Sequence, residues 1–578
     1  CIRDSYEFDA LGQLIKTIYP DGSEESGSYN AIGKRISAVD AAGESTSAQF
    51  DAMGNITAST DAMGNTTRYD YDGAGRLIKT IYPNGGETTY VYDEAGQLIS
   101  ETTPTGETTV YGYDAAGRMV SITGPDGAVS SMSYDAKGQL VAETDPRGMV
   151  TSYEYDLAGR LVSATNALGS TTRYEYDAMG NLLSITDALG NVTKYEYDAL
   201  SRPVSMTDAA GAVTSYSYDC VGNLISETDA LGNVTEYGYD LNGSITELVD
   251  ALGGRTAMSY NELGYVSSVL QKNGGVVEAE YDAMGRLVSE TDAMGAATKY
   301  SYDANGLVTK ITDALEQSAE MRYDEMSNVT EIVGPEGSST SFAYDLSGRL
   351  VSQTDAAGTE TSYIYDKAGR LVELRINGSS TRYEYDKAGN ITAVTDAEGR
   401  SISLSYDELG NLSCITYPDG SKDSYEYDAL SRLTKYTPRK GETTAYSYSA
   451  MGDVLSVTTG EQTTGYEYDE LGRMTAVINP DGSRSQAEYD ALGNITRAVD
   501  ALGATTEYAY TVDGLPESIS YANGAVVTAE YDLNGRAISE TDPEGVKARY
   551  EYDPVGRLTA VTDGLGIPAA TATTPQTG

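Results

Sequence analysis

The 578-residue chain carries 87 Asp and Glu residues against 39 Lys and Arg residues, for a formal charge of −48, and it contains no His. Nucleic acid is an unexpected partner for such a chain, because its binding needs clustered Lys and Arg. The lack of His excludes Ser-His-Asp and Cys-His nucleophile systems and most catalytic zinc sites. No apolar run approaches the ~20 residues of a membrane-spanning helix.

A tyrosine recurs at a fixed step along almost the whole chain. Phe8 holds the first position, Tyr29 the second, and the series ends at Tyr552. Twenty-four steps are 21 residues long and two are 20, which makes 27 copies of one unit. Self-similarity of this kind is the signature of a repeat architecture in which each unit contacts its neighbours. We predict one continuous array over residues 1–566, followed by an irregular tail at residues 567–578.

Each unit contains two Asp-x-x-Gly turns, for example Asp177–Gly180 and Asp187–Gly190. Asp at the first position and Gly at the fourth are typical of a type I turn closed by a left-handed residue, which is a common hairpin loop. The segments between turns, such as Asn181–Thr186 and Val192–Tyr197, are rich in β-branched and aromatic residues, as half-buried strands are. Each unit is therefore predicted to be one antiparallel β-hairpin.

The two short steps of the repeat support hairpins. The steps that end at Tyr385 and Tyr468 each lose one residue near the second turn, where Asn377-Gly378 and Gly460 are found. Asn-Gly is the preferred two-residue hairpin turn. The missing residue is therefore expected to be absorbed at the loop tip, with the strand register preserved.

The Gly that closes the first turn is present in 24 of the 27 units, and Ser replaces it in the other three. A left-handed residue other than Gly costs about 1 kcal/mol. We expect Ser201, Ser327 and Ser431 either to keep a positive φ under strain or to adopt a different local turn.

The predicted fold class is all-β, with tandem antiparallel hairpins forming a long curled or spiral sheet. Fifty-four strands at ~4.8 Å make a ribbon roughly 250 Å long and, at six residues per strand, about 20 Å wide. Such a ribbon must curl, because strands twist. It is long enough to wind about twice round a cavity of roughly 40 Å diameter, as an open-ended wall.

Two other β architectures have similar periods. A β-propeller blade needs 40–45 residues, close to two units, but consecutive second turns show no alternation between odd and even units. A parallel β-helix has coils of similar length, but two reversing turns in each unit favour antiparallel neighbours.

The residues suggest no catalytic, cofactor-binding or metal site. Cys1, Cys220 and Cys414 have no spacing typical of a disulfide framework or a zinc site. The turn Asp residues are interpreted as turn caps. The alternative is that these Asp residues bind calcium, but no Asp-x-Asp-x-Asp-Gly loop or Gly-Gly-x-Gly-x-Asp repeat supports it.

The unit Tyr-x-Tyr-Asp-x-x-Gly-Arg-Leu resembles the YD repeat of the RHS (rearrangement hot spot) family. It stands at Tyr153–Leu161 and Tyr550–Leu558 and, with Ser for Gly, at Tyr425–Leu433. The resemblance covers about residues 6–566. The family includes bacterial polymorphic toxins, the C component of insecticidal toxin complexes, wall-associated proteins and teneurins.

The resemblance implies a hollow β-shell in a secreted or surface-displayed bacterial protein. In toxins of the family the shell encloses a C-terminal toxin domain and cuts it free through aspartates. Asp542-Pro543 and Asp553-Pro554 look like the family's Asp-Pro elements, but both fall at ordinary turn positions and are interpreted as repeat turns. We expect a non-enzymatic wall segment, apparently truncated at its N-terminus, whose partner is a toxin cargo absent from this sequence.

A surface adhesin or carbohydrate-binding protein is the alternative function. Its 48 Tyr residues would stack on sugars of a carbohydrate or cell-surface ligand. The competing interpretation is that paired residues such as Tyr174 and Tyr176, which share one face of a strand, form cross-strand ladders that hold the sheet.

Overall fold

The protein is one long antiparallel sheet. The structure, a computed structural model, describes residues 5–19, 21–564 and 568–569. In this part of the chain there are 54 strands of four to seven residues and one two-residue strand, and there is no helix. Accordingly, no helix among these residues is long and apolar enough to cross a membrane.

The strands, numbered in chain order, are β1 Ser5–Phe8, β2 Leu14–Ile18, β3 Glu24–Tyr29, β4 Arg35–Val39, β5 Ser45–Phe50, β6 Ile56–Thr60, β7 Thr66–Tyr71, β8 Leu77–Ile81, β9 Glu87–Tyr92, β10 Leu98–Thr102, β11 Thr108–Tyr113, β12 Met119–Thr123, β13 Val129–Tyr134, β14 Leu140–Thr144, β15 Val150–Tyr155, β16 Leu161–Thr165, β17 Thr171–Tyr176, β18 Leu182–Thr186, β19 Val192–Tyr197, β20 Pro203–Thr207, β21 Val213–Tyr218, β22 Leu224–Thr228, β23 Val234–Tyr239, β24 Ile245–Val249, β25 Arg255–Tyr260, β26 Val266–Leu270, β27 Val276–Tyr281 and β28 Leu287–Thr291. The series continues with β29 Ala297–Tyr302, β30 Val308–Thr312, β31 Ser318–Tyr323, β32 Val329–Val333, β33 Ser339–Tyr344, β34 Leu350–Thr354, β35 Glu360–Tyr365, β36 Leu371–Ile376, β37 Ser379–Tyr385, β38 Ile391–Thr395, β39 Ser401–Tyr406, β40 Leu412–Thr416, β41 Lys422–Tyr427, β42 Leu433–Thr437, β43 Thr444–Tyr448, β44 Val454–Thr459, β45 Gln462–Tyr468, β46 Met474–Ile478, β47 Arg484–Tyr489, β48 Ile495–Val499, β49 Thr505–Tyr510, β50 Pro516–Tyr521, β51 Val526–Tyr531, β52 Ala537–Thr541, β53 Lys547–Tyr552, β54 Leu558–Thr562 and β55 Pro568–Ala569.

Strand pairing follows chain order throughout, and every pair is antiparallel. In the unit of β17 and β18, Tyr174 is opposite Ile185 and Tyr176 is opposite Leu182. The next pair, β18 with β19, places Ile185 opposite Thr193. Each strand contacts its sequence neighbours and no other described strand. The hairpin prediction is therefore confirmed, and the pattern is neither a parallel β-helix nor a β-propeller.

The two turns of each unit close in the same way. Gly180 donates its N–H to the carbonyl of Asp177 in the turn after the repeat Tyr, and Gly190 donates to Asp187 in the other. We name these the first turn and the second turn. The register shifts at Tyr176 next to the first turn, which is a β-bulge, and not at the second turn.

The exceptional turns behave as the sequence indicates. Ser201, Ser327 and Ser431 have φ of 61°, 66° and 60°, so they keep the left-handed backbone of the Gly they replace. Glu316, at the corresponding position of a second turn, has φ 60° and was not anticipated.

Both short steps form two-residue hairpin loops. Asn377 and Gly378 have φ of 48° and 85°, as a type I′ turn requires at both central residues. Gly460 has φ 60° at the first central position of the other loop. The ladders continue on both sides, with Ile376 opposite Ser379 and Thr459 opposite Gln462.

The sheet is a single layer without a conventional core. Among the described residues the buried apolar side chains are Ala58 and Ala476. Alternate residues face opposite sides, so Thr172, Tyr174 and Tyr176 share one face, while Arg173 and Glu175 lie exposed on the other. Among the described residues, no second layer of strands or helices covers either face of the ribbon.

The ribbon winds into a spiral whose successive coils touch at their edges. Hydrogen bonds join second turns to first turns that lie 242 to 262 residues further along the chain. At 21 residues per unit this separation is twelve or thirteen units, so the 27 units make just over two coils. A coil of about 25 strands at ~4.8 Å has a circumference of about 120 Å and a diameter of roughly 40 Å, in agreement with the expected dimensions.

The C-terminal end is described in part. Pro568 and Ala569 pair with Thr562 and Val561 of β54. The other residues of the expected irregular tail, 567 and 570–578, lie outside the described residues, as does Cys1. The division into repeats and tail stays a prediction.

Candidate functional site

The acidic turn residues cap the turns. Asp72 accepts hydrogen bonds at Oδ1 from the backbone N–H groups of Ala74 (2.9 Å) and Arg76 (3.0 Å). Hydrogen bonds from the backbone and side chain of Arg76 lower the pKa of Asp72. The same cap recurs at Asp542 and Asp553, where Glu544 and Val555 donate. Both Asp-Pro pairs are thus ordinary repeat turns, as predicted.

The Arg that follows the first turn clamps two adjacent hairpins together. Arg76 donates from Nε to Asp72 Oδ2 (2.6 Å) and from Nη1 to the backbone carbonyl of Asp93 in the next unit (3.0 Å). Its guanidinium carbon lies 5.0 Å from the centre of the Tyr92 ring. This geometry combines a charge-assisted hydrogen bond with a cation–π contact. We call this arrangement the arginine clamp. All three contacts also form at Arg118, Arg160, Arg202, Arg286, Arg370, Arg432 and Arg473.

The repeat Tyr hydroxyl bridges back to the preceding hairpin. Tyr113 donates to the carbonyl of Leu98, fifteen residues earlier (2.9 Å), and Tyr197 donates to Leu182 (2.9 Å). Burial raises the pKa of Tyr197. The repeat Tyr is therefore a structural link between units, which supports the interpretation that Tyr holds the sheet.

Asn replaces the clamp Arg in several units and reinforces its own turn, and in one unit Asn411 also donates from Nδ2 to Ser431 Oγ of the next unit (3.1 Å). Asn181 donates from Nδ2 to Asp177 Oδ2 (2.8 Å), so it reinforces its own turn. The shorter side chain has no contact comparable to the Nη1 bond that Arg160 makes to the Asp177 carbonyl (2.7 Å).

The contacts between coils form a seam, which we define as the line where second turns of earlier units meet first turns of later units. Glu107 is one of its enclosed acids. Arg349 Nη2 lies 3.0 Å from Glu107 Oε1, and the two side chains are 24% and 12% exposed. Thr105 Oγ1 and Ser347 Oγ are 2.6 Å apart beside this ion pair.

The electrostatics of Glu107 reflect this environment. Burial alone would raise the pKa of Glu107, but hydrogen bonds from Thr103 and Thr105, together with the Arg349 charge, outweigh burial and lower it to about 2. The carboxylate is therefore held in its charged form by partners on both sides of the seam.

Other side chains form similar contacts across the seam elsewhere along the coil. Asn305 donates from Nδ2 to Asp61 Oδ2 (2.7 Å), and Arg370 Nη2 lies 3.1 Å from Asp126 Oδ2. Arg147, on the second-turn side, donates to the carbonyl of Asp407 (3.2 Å). Arg and Asn side chains thus connect the second turns of one coil to the first turns of the next.

At other places along the seam, Asn side chains of second turns and of first turns donate across it. Asn534 donates from Nδ2 to Asp292 Oδ2 (2.6 Å). Asn273 donates from Nδ2 to the Leu533 carbonyl (3.1 Å), and Asn84 makes the same kind of bond to the Leu346 carbonyl (3.3 Å). These second turns therefore contact first turns that lie twelve or thirteen units further along the chain.

The turn caps were predicted from the sequence pattern, whereas the clamp and the seam were not. The recurrent Gly-Arg-Leu after the first turn was a signal for the clamp. No periodic signal marks the seam, because its donors and acceptors change from unit to unit.

That the chain has no catalytic, cofactor-binding or metal-binding residues stays a prediction. Cys220 is an exposed free thiol and Cys414 a half-buried one. Within the described ranges, no group of three or more acidic, Cys or His side chains could hold a metal ion.

Family models match two parts of the chain. The RHS Repeat model matches residues 50–87, 92–129, 134–171, 157–192, 176–213, 218–255, 281–318 and 302–340. The Teneurin YD-shell model matches residues 338–483 and 425–568. Together the two family models match most of the repeat array.

Solved structures share the fold. A crystal structure of TcdB2-TccC3 has a TM-score of 0.52 at 14% identity, covering 98% of this chain and 42% of that one. A TcdB2-TccC3-Cdc42 crystal structure has a TM-score of 0.53 at 14% identity, with coverage of 98% and 44%. The chain thus spans less than half the length of these relatives. No curated protein matches the sequence.

The repeat unit, the spiral of antiparallel hairpins and the two family models agree, and the chain belongs to the RHS/YD-repeat family.

Proposed function

We propose that this chain is a structural shell segment of a secreted RHS-type polymorphic toxin protein. In the full-length protein it would enclose a C-terminal toxin domain that is absent from this sequence. The observation that carries the proposal is the single-layer spiral whose coils are joined by the seam. A sheet that coils back on itself and leaves its faces uncovered is suited to bounding a space.

The proposed action is passive. Strand pairing joins each hairpin to the next, and the clamp and the Tyr hydroxyl bond reinforce many of these junctions, so the wall is continuous along the coil. The seam joins neighbouring coils, so that the wall is also continuous along the spiral axis. Such a wall separates a cargo from solvent and proteases without any chemical step of its own.

A roughly 40 Å wide coil is consistent with this role. Two coils of strands, each about 20 Å tall, make a wall about 40 Å high. These dimensions are comparable to those of a small folded domain, whose radius of gyration is about 13 Å for 100 residues.

Limited proteolysis of the full-length parent protein tests the proposal. With the wall intact, the C-terminal domain should resist added protease. Deletion of twelve whole units, which removes about one coil and keeps the phase of the seam, should expose it. A control variant lacks one short loop within the C-terminal domain. Because its wall is intact, that domain should still resist added protease.

Equal protease sensitivity with and without the twelve units would reject enclosure. In that case the alternative function, a surface adhesin that binds carbohydrate, would be tested next by glycan binding of the isolated chain.

A further inference from the structure

The Asn residues of the seam share a chemical property that their hydrogen bonds do not use. Asn84, Asn273, Asn305 and Asn534 donate across the seam, and each of them is followed by Gly. Asn-Gly is a labile dipeptide, because Gly has no side chain to hinder the approach of its backbone nitrogen to the preceding carboxamide. The seam is therefore built in part from residues that can deamidate without an enzyme.

Deamidation of Asn534 takes place in two steps. The backbone nitrogen of Gly535 bonds to Cγ of Asn534, the Cγ–Nδ2 bond breaks, and the amide nitrogen leaves as ammonia with the proton that Gly535 has lost. Water then opens the cyclic imide at one of its two carbonyls, which gives Asp or isoaspartate with one new carboxylate. The first step needs a Gly nitrogen released from its hydrogen bond and a carboxamide that is free to turn towards it.

The closed seam keeps these two groups of Asn534 and Gly535 apart. Gly535 donates its N–H to the Asp532 carbonyl within the turn (3.0 Å). The Asn534 carboxamide points across the seam and donates from Nδ2 to Asp292 Oδ2 (2.6 Å). Hydrogen bonds to a carboxylate are among the stronger ones in proteins. Attack on Asn534 therefore requires the contact between the coils to open first.

Asn305 is held across the seam by two hydrogen bonds. It donates from Nδ2 to Asp61 Oδ2 (2.7 Å), and its Oδ1 accepts from the backbone N–H of Met63 (3.2 Å). The Gly306 N–H is held within its own turn. Burial alone would raise the pKa of Asp61, but hydrogen bonds from Asn65 and Asn305 outweigh burial and lower it. Asp61 is therefore charged at neutral pH, and a carboxylate at position 305 would face a like charge.

Asn242 is a comparison residue in the same chain. The turn Asp240–Gly243 has the sequence Asp-Leu-Asn-Gly, which is also the sequence of Asp532–Gly535. Gly243 donates its N–H to the Asp240 carbonyl (3.2 Å), as in the other turn. Within the described ranges, however, the Asn242 carboxamide has no acceptor across the seam. The two Asn residues thus differ in the contact between coils and not in the local sequence.

We propose that Asn305 and Asn534 are protected deamidation sites of the seam. While the coils touch, each carboxamide is held on the Asp opposite it. When the coils part, deamidation replaces the carboxamide with a carboxylate, which repels that Asp and keeps the contact from forming again. The seam thus loses these contacts in one direction only. The inference goes beyond the proposed function, since it holds whether or not the wall encloses a cargo.

The rates of deamidation at Asn242 and Asn534 test the protection. The intact chain is incubated at neutral pH, and peptide mass spectrometry follows the conversion of each Asn to Asp and isoaspartate. Asn242 should react roughly tenfold or more faster than Asn534, because a hydrogen bond to a charged group changes a population by about that factor. Equal rates at the two positions would contradict protection by the seam.

Asp292→Asn removes the acceptor of Asn534 and keeps the cap of its own turn. Asn can cap such a turn, since Asn166 Oδ1 accepts from the backbone N–H of Leu168 (3.1 Å). The amide nitrogen that replaces Oδ2 cannot accept a hydrogen bond. Asn534 should therefore deamidate several-fold faster in this chain, at a rate close to that of Asn242.

Asp208→Asn is the matched control. Asp208 caps its turn at Oδ1 with a bond from the Ala210 N–H (2.9 Å). The first turn twelve units later, Ser449–Gly452, has Met451 in place of the Asn. The rate at Asn534 should be the same in this chain as in the unchanged one. If Asp292→Asn also leaves that rate unchanged, the bond across the seam does not protect Asn534, and the proposal is wrong.

Asn534→Asp tests the consequence of deamidation, because it places the product carboxylate next to Asp292. Hydrogen exchange should accelerate several-fold in the turns at residues 292–295 and 532–535. Asn242→Asp adds the same charge in the same local sequence and should leave the exchange of those turns unchanged. Unchanged exchange in the Asn534→Asp chain would show that the new carboxylate does not part the coils, which would overturn the one-way loss of contacts.

Discussion

Arg349 and Glu107 are 242 residues apart in the sequence, yet Arg349 Nη2 lies 3.0 Å from Glu107 Oε1. Arg349 also holds its own turn through Nε to Asp345 Oδ2 (2.7 Å). One side chain therefore connects a first turn to the coil before it.

Glu107→Gln should loosen the seam locally. Removing the charge weakens the bonds to Thr103, Thr105 and Arg349, and loss of a charge-assisted hydrogen bond costs about 1.5–3 kcal/mol. Hydrogen exchange should therefore accelerate in the turns at residues 103–107 and 345–349. Glu87→Gln is the control, because Glu87 pairs with Lys79 at 2.6 Å on an exposed face, where such pairs contribute about 0–1 kcal/mol. Equal acceleration in both variants would argue against a special role for the seam.

The same contact predicts a dependence on pH. The pKa of Glu107 is lowered in the fold, from 4.5 to about 2, so the carboxylate stabilises the seam in its charged form. That contribution is complete above pH 4.5 and is lost as the pH falls toward 2. The difference in hydrogen exchange between the unchanged chain and Glu107→Gln should therefore shrink over this interval. A difference that persists at the acidic end would mean that the charge is not what matters.

Glycine at the left-handed turn positions should stabilise its unit. Ser201→Gly, Ser327→Gly and Glu316→Gly relieve a positive φ that costs about 1 kcal/mol. Ser431→Gly should gain less, because the Ser431 hydroxyl accepts a bond from Asn411 Nδ2 (3.1 Å). Thermal or denaturant unfolding measures the change.

The reverse substitution, Gly180→Ser, is the control for these turns. Gly180 has φ 97°. The Gly180→Ser chain should therefore lose about as much stability as the Ser→Gly chains gain. If Ser201→Gly and Ser327→Gly both destabilise the chain, strain is not the dominant effect at these positions.

A new arginine clamp should strengthen a unit that lacks one. Asn181→Arg places a guanidinium next to Asp177, near the Tyr197 ring and the Asp198 carbonyl of the next unit, as Arg160 is placed near Tyr176 and Asp177. We expect a gain of about 0.5–1 kcal/mol, the usual value of an exposed cation–π contact. Unfolding midpoints and hydrogen exchange between the two hairpins give the measurement.

Arg160→Lys is the matched variant that removes an existing clamp. Lysine keeps the charge but cannot form the planar fork on Asp156 and the bond to the Asp177 carbonyl together. Its unit should be less stable than that of the unchanged chain by a similar amount. An unchanged midpoint for Arg160→Lys would show that charge alone accounts for the clamp.

Much of the fold could be predicted from local sequence. The position of each strand, the antiparallel pairing, the left-handed Ser residues and the two-residue loops at Asn377 and Gly460 all follow from turn chemistry within one unit. Those features depend on residues a few positions apart, and backbone geometry at that range is decided by the residues themselves.

The clamp and the seam required the tertiary structure. The clamp depends on how far one hairpin is rotated against the next, which decides whether Arg76 meets the Tyr92 ring. The seam depends on the number of units in a coil, which is the accumulated twist and curl of about 25 strands. A small change in that angle per strand would bring Glu107 opposite a different turn, and so no pattern in the sequence marks Arg349 as its partner. The repeat by itself thus determined a curling ribbon of hairpins, and the summed curvature of the sheet decided which edges meet.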